Sequence, residues 1–125
     1  MAELSVVVTV DSAVDGGAVV ARWQGKGQAM DPASALAPIF ADIVARASDR
    51  ALPVIHDFCA LEYFNSATVS AIVRHLKALA ERQLRATVRF DASLRWQRTF
   101  FDALAITAAK TGNIAVVPVT VPKGE

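Results

Sequence analysis

Residues Val54 to Leu76 read "VIHDFCALEYFNSATVSAIVRHL", and two periodicities meet inside them. The opening, with Leu52 and Pro53 before it, is a short apolar run of the buried-strand type, Leu52 to Phe58. From Ser66 onward the apolar residues Val69, Ile72, Val73, Leu76 and Ala80 recur at helical spacing. The outer side of that helix, which runs to about Glu81, carries Arg74, His75, Lys77 and Glu81. Between strand and helix "CALEYFN" reads as a loop, and a strand that leads through a loop into a helix is half of a βαβ unit, so the question becomes whether the flanking sequence repeats it.

It does on both sides. "RATVRF", Arg85 to Phe90, reads as the next strand, "DASLRWQRTFFDAL" as a third helix capped by Asp91 or Ser93, and "NIAVVPVTV" as a last strand. Pro118 cannot donate to a ladder, which places that strand at a sheet edge and leaves Leu52 to Phe58 central. Upstream, Leu36, Ile39, Phe40, Ile43, Val44 and Ala47 form one helical face. Asp31 can cap that helix with Pro32 in its first turn, although Pro38 either starts the regular helix later or kinks it. Before it, "SVVVTV" (Ser5 to Val10) and "AVVARW" (Ala18 to Trp23) flank the turn-rich "DSAVDGG", the signal of an antiparallel hairpin. "QGKGQAMDPAS" reads as a loop. The order β-β-α-β-α-β-α-β predicts an α/β fold, a mixed, mostly parallel sheet with an N-terminal hairpin and helices packed on it.

The chain of 125 residues suits a single domain, residues 1–125, large enough to fold without a disulfide or metal staple. Its apolar fraction of 54% is high, yet charges interrupt every long apolar run, so a spanning helix is not expected. The surplus predicts a sheet buried on both faces. A net charge of +1, with acids and bases interleaved, gives no electrostatic case for nucleic acid. The N-terminus shows no signal-peptide pattern, and one cysteine, Cys59, fits a reducing compartment, so the expected location is the cytoplasm.

Chemistry-bearing residues are sparse. His56, Asp57 and Cys59 are close in sequence, but His56 and Asp57 are strand neighbours that point to opposite faces. An enzyme built on these three requires them to converge in one cleft; the simpler reading is a buried strand end with an inert thiol. Asp57 with Glu62 is a carboxylate pair of unfixed distance, and His75 reads as a solvated helix residue. "GKGQ" lacks P-loop spacing, and no metal-ligand motif is present, so neither cofactor nor metal is expected.

Ser66 remains, at the joint between the strand-loop and the helix. A serine there caps the helix, worth ~1 kcal/mol. A phosphate on it would meet the helix's unpaired N–H groups without unfolding the domain, while placing negative charge on the surface beside it.

The stretch Val54 to Phe90 resembles the central part of STAS domains, the anti-sigma-factor antagonists of bacteria. Val54 to Asp57 matches their strand, Phe64-Asn65-Ser66-Ala67 their phosphorylation loop, Val69 to Leu79 their helix and Ala86 to Phe90 the following strand. Asn65 stands where that family has Asp, and Thr68 where it has Gly. "LEYFN" followed by a hydroxyl residue is also similar to the loop of SiaC-type biofilm regulators. The resemblance implies a non-catalytic regulatory domain that switches partners when Ser66 is phosphorylated by a serine kinase and restored by a serine phosphatase. The partner it implies is a kinase-like anti-sigma regulator or a diguanylate cyclase. Asn65, Ala67, Thr68, Arg74 and Lys77 would contribute to the contact surface, Tyr63 and Phe64 would pin the loop, and Glu62 would be exposed. A homodimer stays open. The alternative is a module of the same fold that binds a small lipid or nucleotide, for which the apolar excess would line a pocket.

Overall fold

The computed structural model describes residues 9–27, 32–64, 66–110 and 112–119. Strands β1 (Thr9–Asp15) and β2 (Ala18–Gly27) are followed by α1 (Pro32–Arg50), β3 (Val54–Phe64), α2 (Ser66–Glu81), β4 (Ala86–Asp91), α3 (Arg95–Ala108) and β5 (Ile114–Val119). The strands form one sheet in chain order, β1-β2-β3-β4-β5. From β2 to β5 every pairing is parallel. β1 runs antiparallel to β2, pairing Asp15 with Ala18 across Gly16 and Gly17. Both glycines have positive φ, 60° and 84°, the backbone a two-residue hairpin turn demands. β3 is therefore central, and β5, with Pro118, lies at an edge.

Strand order fixes the layering. When parallel strands follow one another in sequence, right-handed crossovers put every helix on the same face. Ring contacts agree: Phe40 of α1, His75 of α2 and Phe101 of α3 all reach rings of one sheet face, 5.9 Å from Trp23, 4.9 Å from His56 and 5.2 Å from Phe58. Val19, Ala21, Trp23, Val54, Phe58, Ala86, Val88 and Phe90 fill this face and are buried. The alternate positions Arg22, Gln24, Ile55, Asp57, Thr87, Arg89, Ala115 and Val117 are half-buried or exposed. The expected burial on both faces is thus corrected. Among the described residues the helices cover one face, and the strands alternate as half-buried strands do.

Several boundaries also move. "DSAVD" is strand rather than turn, and the part of the first expected strand before Thr9 lies outside the described residues, as does the cap expected at Asp31. α1 runs through Pro38 from a start at Pro32, the position that tolerates proline best. Both "QGKG" and "CALEYF", read as loops, are strand: Gln24, Gly25, Lys26 and Gly27 pair with Ala60, Leu61, Tyr63 and Phe64 after two register shifts. At both shifts the extra residue lies on β3, and the pairing overrides weak local propensity on both strands. β3 leaves β4 earlier, its last paired residue there being Asp57, opposite Arg89.

Candidate functional site

Beyond Asp57 the end of β3 has β2 on one side but no β4 ladder on the other. A side chain supplies the missing donors. Gln97 of α3, fully buried, donates from Nε2 to the carbonyl oxygens of Phe58 at 2.8 Å and Leu61 at 3.0 Å. Its Oε1 accepts the Asp91 N–H at 2.7 Å. Every hydrogen-bonding atom of one amide is thereby used to fasten the strand that leads into α2. Asp91 itself forms the turn before α3, its Oδ1 accepting from the Ser93 N–H at 2.9 Å and the Ser93 hydroxyl at 2.6 Å. Neither residue caps α3 as expected. The N-cap is Leu94, without a side-chain bond, because Asp91 and Ser93 satisfy each other one step earlier.

Ser66 is the first residue of α2, whose first turn contains no acidic residue. Its hydroxyl, the side chains of Tyr63 and Phe64, and the whole of Asn65 lie outside what the structure describes. Glu62 is exposed. Ala67, Ser70, Arg74, Lys77 and Glu81 form one exposed stripe along α2, and it begins beside Ser66. Thr68, expected on the contact surface, is only 1% exposed. Two residues after Ser66 the helix has turned that position toward the body, which removes Thr68 from any surface.

His75 is the larger correction. It is 5% exposed rather than solvated, stacked on Phe40 with centroids 4.0 Å apart. Its Nε2 lies 3.0 Å from Nε2 of His56, and Nδ1 of His56 accepts the indole N–H of Trp23 at 2.9 Å. An indole only donates, so His56 Nδ1 is a bare acceptor and its proton sits on Nε2. That proton points at His75, whose Nε2 accepts and whose own proton must then be on Nδ1. Burial, with His75 beside it, holds the pKa of His56 well below 6.5, and burial alone lowers His75 to about 4. A protonated His56 would also set N–H against the indole N–H. The chain Trp23, His56, His75 is thus neutral and polarised in one direction, ending in an outward-pointing donor.

That donor ends at a groove between α1 and α2 of about 570 Å³. Ala37, Ala41 and Ala45 line one side, Ala71 and Ala78 the other, with Phe40 and Val44 deeper and Arg74 and Arg82 on the α2 side. The spacing Ile72, His75, Leu76, Leu79 was the available signal that His75 faces inward, and Gln97, Phe101, Leu104, Ala108 the same for Gln97.

The catalytic cluster does not assemble. His56 lies under the helices, whereas Asp57 and Cys59 are on the other face, where Asp57 Oδ1 accepts the Cys59 N–H at 3.0 Å. Burial, and after it the hydrogen bond from the thiol to Asp57, pushes Cys59 up to about 12, away from nucleophilic thiolate. Among the described residues no group of three or more His, Cys, Asp or Glu could hold a metal ion, and no helix is long and apolar enough to cross a membrane. No family model and no curated protein matches the chain.

Proposed function

We propose that the chain is a STAS-like, non-catalytic regulatory domain of the cytoplasm whose partner is exchanged when Ser66 is phosphorylated. The observation that carries the reading is the start of α2: Ser66 opens the helix directly after β3, whose end is fastened by Gln97. The order β-β-α-β-α-β-α-β and the mostly parallel sheet support the same reading. A first turn without acidic residues leaves the positive end of the helix dipole uncompensated, so a phosphate there is stabilised rather than repelled. The stripe Ala67, Ser70, Arg74, Lys77 and Glu81 is the surface whose partner that charge would disturb. In this reading the partner is a kinase-like regulator or a diguanylate cyclase, and a serine phosphatase resets the switch.

Ser66→Asp and Ser66→Ala test it. Ser66→Asp is expected to melt like the wild type, because aspartate caps a helix well, and to lose the partners that wild-type protein captures from its own cell lysate. Ser66→Ala should retain them, lose ~1 kcal/mol of stability and take up no phosphate in the same lysate. Phosphopeptide mapping that finds Ser66 unmodified, together with equal capture by all three proteins, would sink the proposal.

A further inference from the structure

The groove between α1 and α2 offers a ligand two unlike surfaces. Its walls are small and apolar, with alanines at 37, 41 and 45 facing Ala71 and Ala78. Its polar lining is biased to donors: the guanidinium groups of Arg74 and Arg82 and the inward-held imidazole of His75, with Ser48 able to act either way. No acidic residue lines it. His75 is 5% exposed and its Nε2 is held by His56; among the described residues no buried side-chain nitrogen or oxygen lacks a partner, so its Nδ1–H is not sealed in the core but open at the groove that His75 lines. A donor fixed in direction by Trp23 and His56 and open at the groove is placed to be taken by an acceptor from outside. About 570 Å³ falls within the range of small-molecule sites.

The geometry points to a binding site for a small amphipathic anion, an aliphatic carboxylate whose chain lies along the alanines and whose head group takes the His75 Nδ1–H and an arginine. This goes beyond the switch at Ser66 and does not depend on it. Arg74 and His75 are adjacent on α2, and a carboxylate has acceptor sites for both.

Decanoate is the probe, titrated into the full chain by calorimetry while the Trp23 and Trp96 indole N–H resonances are followed. One-site binding with Kd below about 1 mM is expected. The Trp23 resonance should move, because His56 links Trp23 to His75, and that of Trp96 on α3 should not. Decanol, with the same chain and no charge, should bind at least tenfold more weakly. Arg74→Glu with Arg82→Glu should weaken decanoate at least tenfold, and Ala41→Trp, which fills the groove from an exposed position, should abolish binding; both variants should melt within a few degrees of wild type. Absence of saturable binding overturns the inference. So does equal binding of decanol, or binding that survives the double arginine variant or Ala41→Trp. A groove built for a partner helix would appear as the first of these failures.

Discussion

α2 packs against two neighbours and closes only one of the two gaps. Toward α3, Val73, Leu76, Leu104 and Ala108 leave a space of about 30 Å³. Toward α1, small side chains leave about 570 Å³. The backbones differ on the two flanks: α1 and α2 approach each other closely, whereas α2 and α3 stand further apart over the sheet. Side-chain size differs as well. Large residues fill the wider space between α2 and α3, while alanines let α1 and α2 approach and still leave a groove with an imidazole at its base. One flank of the helix therefore serves stability and the other is free to serve binding.

The most direct way to break this contrast is to hollow the closed flank. Leu76→Ala removes a buried side chain there and should cost 2–5 kcal/mol in urea unfolding. A loss below about 1 kcal/mol would mean that the α3 flank is as loosely packed as the α1 flank.

The second test reads the base of the groove through protons. His56 and His75 are held below 6.5 when folded, His75 at about 4, whereas the unfolded chain takes up protons as the pH falls through about 6.5. Stability should be complete above that pH and decline as the pH falls from 6.5 toward 4. Each histidine contributes a slope of up to ~1.4 kcal/mol per pH unit, about 3 kcal/mol in all for His75. His75→Phe should be less stable at pH 7, because the His56 Nε2–H loses its acceptor, and should flatten the decline between pH 6.5 and 5. An unchanged slope in that variant would show that other groups set it.

The smallest effect is expected on the open flank. Ala41→Leu adds apolar volume where space already exists, and should change stability by no more than about 0.5 kcal/mol in either direction. A loss of the size predicted for Leu76→Ala would show that the groove is packed in solution and would sharpen the contrast against us.

The sequence carried the alternating α/β order because apolar periodicity is local. Val69, Ile72, Val73 and Leu76 define a helix face without reference to anything else, and Pro118 marks an edge by its own chemistry. The errors cluster where a residue's state depends on a distant partner. "CALEYF" becomes strand only because "QGKG" pairs with it. His75 is the exception: its helical phase with Ile72, Leu76 and Leu79 already points inward, and only the partner that makes a buried imidazole tolerable, His56, lies 19 residues away. Thr68 was assigned to the surface through the resemblance rather than through its helical phase. The candidate groove was not legible at all, since alanines on two helices carry no signal until both helices are placed.

Gln97 has a consequence in time as well as in space. The amide that fastens Phe58 and Leu61 comes from a residue 39 and 36 positions later in the chain. On a ribosome adding 5–20 residues per second, Ser66 is synthesised roughly 2–6 s before Gln97. During that interval the carbonyls of Phe58 and Leu61 have no donor from α3, and the segment leading to Ser66 lacks its lateral tie. A modifying enzyme that recognises Ser66 in its finished setting would therefore ignore nascent chains and act only on molecules whose third helix has docked.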